Sequence, residues 1–120
     1  MSEATKKKIV GKISTYMLEK KAKDIKIIKV DKLTSITDYF VICTSESDPQ
    51  AKAITKHIKA RLHEEMGIKP WHIEGYENLK WILLDYVDII VNIFNQDERK
   101  YYNIEKLWAD GKIKEIRDKR

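Results

Sequence analysis

Residues 39–67, YFVICTSESDPQAKAITKHIKARLHEEMG, decide the fold class. Residues 39–44 are a continuous apolar run rich in β-favouring side chains, the composition of a central strand. The segment Ser47-Asp48-Pro49-Gln50 then announces a helix. Asp48 is suited to cap its free amides, and Pro49 at the first helical position gives up no hydrogen bond that a helix needs. Ile54, Ile58, Leu62 and Met66 continue as an apolar stripe, and Gly67 suits the stop. A central strand followed by an amphipathic helix belongs to an α/β architecture.

Working outward, residues 5–21 place Ile9, Ile13, Tyr16, Met17 and Lys20 at three- and four-residue spacing, which predicts a first helix. Residues 24–30 alternate polar and apolar side chains and predict a strand near an edge. After Pro70, residues 71–76, 80–86 and 88–94 predict an antiparallel meander, broken at Glu77-Asn78 and at the tight Tyr86-Val87-Asp88. Asn95-Gln96-Asp97-Glu98 opens a last helix whose apolar side carries Tyr101, Ile104, Leu107 and Trp108 before Gly111. The expected order is α-β-β-α-β-β-β-α: one domain over residues 1–120, with a mixed five-stranded sheet flanked by helices. Its core is expected over about residues 5–110, with a charged, frayed tail at 112–120.

Composition narrows the function. A chain of 120 residues, 42% hydrophobic with only four Gly and two Pro, has the apolar material for one compact core. The lone Cys43 makes no internal disulfide and reads as a small buried hydrophobe. No segment looks like a signal peptide and no run approaches membrane-spanning length, so a soluble cytoplasmic protein is expected, with no membrane partner. The net charge of +5 makes an anionic neighbour such as RNA plausible, although acids are interspersed with the lysines.

Catalytic constellations are scarce. Cys43, Ser45 and Ser47 lie near one another, but His57, His63 and His72 have no evident reason to converge on them. His57 and His63 are six apart, which is not a metal-ligand spacing on a helix face. Asp38, Asp85 and Asp88 offer an alternative, a metal-dependent nucleotidyltransferase. That alternative lacks a phosphate cradle, because residues 43–48 contain no glycine and put an acid where triphosphate needs amides and cations. No enzymatic activity, metal or cofactor is expected.

Aromatic residues point instead to binding, since Trp71, Tyr76, Trp81, Tyr86, Tyr101, Tyr102 and Trp108 gather in the last third of the chain. For Tyr101 and Trp108 a core position on the helix's apolar side is the simpler expectation. Across residues 81–85, alternation puts Ile82 and Leu84 on one face and Trp81, Leu83 and Asp85 on the other. With Ile82 and Leu84 assigned to the core, the second trio makes a mixed patch suited to a protein partner. A free copy would hide that patch in a weak, isologous homodimer.

Several runs together resemble the RsfS (Iojap) family of ribosomal silencing factors. They are Thr37-Asp38-Tyr39-Phe40-Val41-Ile42, Ser45-Glu46-Ser47-Asp48-Pro49-Gln50, Ile73-Glu74-Gly75, Trp81-Ile82-Leu83-Leu84-Asp85-Tyr86 and Tyr102-Asn103-Ile104-Glu105-Lys106-Leu107-Trp108. The resemblance covers about residues 5–110. It implies a fold like a degenerate nucleotidyltransferase without the activity. It further implies binding to the large ribosomal subunit through ribosomal protein uL14, which would block joining of the small subunit and damp translation when nutrients are short. Some members take part in large-subunit assembly. By position, the partner surface would comprise Trp81, Leu83, Asp85, Tyr86 and Asp88 with Tyr102 and Glu105, the acids meeting basic residues of the partner. Two features depart from the family pattern. Val87 stands where the family commonly has Gly, and Val resists positive φ. The net charge is basic, which adds a peripheral rRNA contact as an expectation, most plausibly from the Lys-rich first helix.

Overall fold

The computed structural model describes residues 1–117. Its first helix, α1 (Glu3–Glu19), begins at Ser2, whose hydroxyl accepts the Thr5 amide hydrogen. It buries Ile9, Val10, Ile13, Tyr16 and Met17 along one side. Two strands follow, β1 (Lys23–Lys29) and β2 (Tyr39–Ser45), and then α2 (Asp48–Met66). Ser47, not Asp48, caps α2: its Oγ accepts the Gln50 amide hydrogen at 3.1 Å, and Pro49 sits in the first turn. Gly67, at φ 68°, closes the helix in the left-handed conformation.

The predicted meander is present as β3 (His72–Glu74), β4 (Trp81–Asp85) and β5 (Ile89–Asn95). Then come α3 (Gln96–Tyr102), α4 (Ile104–Leu107) and β6 (Lys112–Ile116). One mixed sheet runs through the structure in the order β3-β4-β5-β2-β1-β6. The β2–β5 pair is parallel, with Val41 opposite Val91 and Cys43 opposite Ile93, and the other pairings are antiparallel. α2 supplies much of the crossover that a parallel pair requires.

α1 and α2 lie together over one sheet face, where Ile25, Ile27, Val41, Cys43, Ile82, Leu84, Val91 and Ile93 meet Ile13, Met17, Ile54, Ile58 and Leu62. The other face has a smaller apolar cluster of Ile28, Val30, Ile42 and Phe94, roofed in part by Ile104 and Trp108. Both faces of β2 and β5 are therefore covered near the middle, in keeping with their unbroken apolar runs. Among the described residues no helix is long and apolar enough to cross a membrane.

Three expectations need correction. The sheet has six strands, because residues 112–116 are not frayed but pair antiparallel with β1, placing Ile113 opposite Ile28 and Ile116 opposite Ile25. β6 carries one isoleucine per face among charged residues, so it shows no alternating signature. Its pairing satisfies backbone groups that β1 would otherwise present as an open edge. The rest of the expected tail, residues 118–120, lies outside the described residues. The last helix is also not continuous: Asn103 at φ 43° separates α3 from α4. That break turns Tyr101 outward, 80% exposed, while Trp108 packs on Phe40 with ring centroids 5.5 Å apart. Tyr101 is thus not a core residue.

Candidate docking face

β4 divides its side chains as alternation requires. Ile82 and Leu84 are fully buried beneath the helices, and Trp81, Leu83 and Asp85 stand half-buried on the opposite face. The Trp81 ring stacks on Phe94 at 4.7 Å and leans on Tyr102 at 4.8 Å, and Tyr102 meets Tyr101 edge-on at 5.0 Å. The indole N–H donates to Asn92 Oδ1 at 3.0 Å, which satisfies a polar group that β5 buries under the aromatic row. The row thus rises from buried Phe94 through Trp81 to exposed Tyr102 and Tyr101, anchored at one end and open at the other.

The strip extends towards the β3 edge. Leu83 lies opposite Glu74 on β3 and Asn92 on β5, and Asp85 lies opposite His72 and Ile90, so these side chains share a face. Asp85 Oδ1 accepts the Val87 amide hydrogen at 2.7 Å, which holds the turn and fixes the carboxylate at the margin of the strip. Leu107 on α4 is 73% exposed. Tyr101 and Leu107 were not among the expected partner-facing residues. Asn103 is the signal that could have found them, because Asn tolerates the left-handed conformation that breaks a helix.

Three of the expected partner-facing residues lie elsewhere. Tyr86 continues the 82–84–86 alternation onto the helix-covered face, where it is only 6% exposed with its hydroxyl buried and unpartnered. Burial pushes that phenol well above its ordinary pKa. Asp88 sits beyond the turn, and its main-chain carbonyl accepts from the Asp38 and Tyr39 amides, tying the hairpin to the start of β2. Glu105 turns away from Trp81 and accepts from Arg99 Nε at 2.7 Å and Lys26 Nζ at 2.8 Å. Burial alone would raise its pKa, but hydrogen bonds from Arg99 and Lys26 outweigh burial and hold it below the ordinary value.

Of the residues of the catalytic alternative, Asp38 and Asp88 are neighbours, but the three do not form a metal-holding group. Asp38 pairs with Lys6 at 2.5 Å, Asp85 serves its own turn, and among the described residues no group of three or more acidic, His or Cys side chains could hold a metal ion. The Cys43 thiol is fully buried and pushed up to about 12 by that burial, far from the thiolate that nucleophilic chemistry needs.

Two helices over one side of a six-stranded sheet, and a short broken helical segment over part of the other, define an α/β domain with an aromatic strip left half-open. The chain belongs to the ribosomal silencing factor family: the family profile described as "Ribosomal silencing factor during starvation" matches residues 3–120. It is 39% identical over 98 residues to Ribosomal silencing factor RsfS of Bacillus subtilis, covering 82% of each chain. It is 27% identical over 102 residues to a Mus musculus protein named Mitochondrial assembly of ribosomal large subunit protein 1, covering 83% of this chain and 45% of that one. A crystal structure of a Chromobacterium violaceum protein, 31% identical, matches with a TM-score of 0.81 over 86% of this chain and 85% of that one.

Proposed function

We propose that this chain docks on the large ribosomal subunit through the strip formed by Trp81, Leu83, Asp85 and Tyr102, and that its bulk then keeps the small subunit from joining. No covalent step is involved. The observation that carries this reading is the aromatic row that ends in exposed Tyr102 and Tyr101 beside half-buried Leu83. Rigid aromatics at the rim of an apolar strip, with a fixed carboxylate at its margin, are the makings of a binding hot spot. The family description and the name of the mouse relative support a ribosomal target on the large subunit. The proposed contact is ribosomal protein uL14, whose basic residues would meet Asp85, and a role in large-subunit assembly is compatible with the same docking.

The test is sucrose-gradient sedimentation of purified large and small subunits with and without the protein. Comigration with large subunits and a loss of joined ribosomes is the expected result, and joining left untouched would overturn the reading. Leu83→Arg is the informative variant, because Leu83 projects from the strip without belonging to either apolar cluster. It is expected to lose large-subunit binding at least tenfold with an unchanged circular dichroism spectrum. Trp81→Ala is less clean than alternation alone would indicate. It also removes the ring over Phe94 and the donor to buried Asn92, so it is expected to lower stability by about 2–4 kcal/mol.

A further inference from the structure

α3 spans the open sheet face, with Tyr102 towards Trp81 on β4 and Arg99 reaching β1 and β2. On the Arg99 side lies a cleft of about 770 Å³ between the α1–β1 turn, β1, α3 and the end of β6. Its walls carry six cationic side chains, Lys21, Lys23, Lys26, Arg99, Lys100 and Arg117, against three carboxylates, Asp24, Glu105 and Glu115. Glu105 is matched by Arg99 and Lys26, and Glu115 by Arg117. Among the described residues Lys21, Lys23 and Lys100 form no ion pair, and all three are exposed at the cleft. Among the described residues the wall carries six cations against three carboxylates, a surplus of positive charge.

Arg99 gives the cleft a rigid cation. Its side chain is only 10% exposed and is fixed by Glu105 through Nε at 2.7 Å and by Thr44 Oγ1 and the Asp24 carbonyl through Nη1 at 2.8 and 2.5 Å. Nη2 makes no hydrogen bond within the described residues, so one edge of an immobilised guanidinium is left for an oxyanion. Around it, the three exposed lysines supply point charges. The lining contains no aromatic residue on which a base could stack and no glycine to open backbone amides to a triphosphate.

We propose that this cleft binds the sugar-phosphate backbone of an RNA strand, reading charge and not sequence. The observation that singles it out is the juxtaposition of immobilised Arg99 with exposed Lys23 and Lys100 in one recess. On α1, by contrast, Lys6 and Lys12 are paired with Asp38 and Glu65, which leaves Lys7 and Lys8 as its exposed lysines without an ion pair among the described residues. The proposal is independent of the docking reading.

The test uses the full chain and a fluorescently labelled single-stranded RNA of about ten nucleotides, with binding read by anisotropy across a salt series. The wild type is expected to bind at low salt. Lys23→Glu/Lys100→Glu is expected to weaken binding more than tenfold, and to reduce the slope of log Kd against log salt by about 1.4, at about 0.7 for each phosphate no longer neutralised. Lys7→Glu/Lys8→Glu makes the same change in net charge on exposed positions of α1, and is expected to weaken binding less than threefold. Leu83→Arg is expected to bind RNA like the wild type, which separates this result from failure of large-subunit docking. Equal losses in the two charge-reversal variants, no loss in the cleft variant, absence of binding by the wild type, or displacement of the RNA by an equal concentration of ATP would each overturn the proposal.

Discussion

Val87 and Glu65 show how far single side chains shape this protein. Val87 sits at φ 72°, a region that β-branched residues enter at a cost of about 1–3 kcal/mol. It is held there by two hydrogen bonds: Asp88 N–H donates to the Tyr86 carbonyl at 3.0 Å, and Val87 N–H donates to Asp85 Oδ1 at 2.7 Å. The tight turn keeps positive φ despite the side chain. Val87→Gly is therefore expected to stabilise the fold by about 1 kcal/mol after glycine's own entropy cost, raising Tm by roughly 4 °C. A lower Tm would show the turn to be unstrained. Glu65 joins α2 to α1, accepting from Lys12 at 2.6 Å, the Tyr16 hydroxyl at 2.7 Å and Arg61 at 2.8 Å. Hydrogen bonds from Lys12, then Tyr16 and Arg61, hold its carboxyl at about 2, against an ordinary value of 4.5. The folded pKa is depressed, so this contribution to stability is full above pH 4.5 and is lost as pH falls towards about 2. The Tm difference between wild type and Glu65→Gln is accordingly expected to shrink across that window. A difference independent of pH would assign the effect to packing.

Among the elements, β4 and its turns place the aromatic strip. Gly75, at φ 79°, precedes the connection from β3 to β4, and a Cβ there would lie 1.9 Å from the Trp81 main-chain oxygen. Backbone cannot yield by that amount without separating the strands. Gly75→Ala is expected to destabilise by more than about 1 kcal/mol and to remove amide-exchange protection from β3 and β4 before the rest of the sheet. Uniform loss of protection would mean that the β3 edge does not open by itself. The elements most legible in the sequence are those with a local period. The stripe of α2, the apolar run of β2 and the inside–outside alternation of β4 all appear where expected. The break at Asn103 is hidden because residues 101–108 keep apolar spacing on either side of it, and a period shows no change of axis. Tyr86 falls on the wrong face when its place beside Asp85 in the family motif is given more weight than its parity with Ile82 and Leu84.

For the whole molecule, the half-open strip has a consequence in the free protein. A free copy exposes Tyr101 and Tyr102 at the end of the Trp81 row, and a two-fold pairing of this face would cover them. Sedimentation equilibrium is expected to show a concentration-dependent mass for the wild type, and a monomer for Leu83→Arg. A strictly monomeric wild type at high concentration would remove self-association from the account. The aromatic strip and the cationic cleft both border α3, which turns Tyr102 to Trp81 and Arg99 to Asp24 and Thr44.

Local order was determined by the sequence itself. It set which segments are helix or strand through β5, which side of β4 enters the core, and which residues resemble the family. Each of these depends on neighbours within a few positions, where side-chain period and turn chemistry act. The tertiary structure alone decided that residues 112–116 complete the sheet, that Glu105 serves Arg99 and Lys26, and that cations from residues 21 to 117 line one cleft. Those outcomes depend on backbone pairing and on approach between distant segments. Backbone hydrogen bonds carry no side-chain identity, and charges far apart in the chain show no spacing by which their meeting could be read.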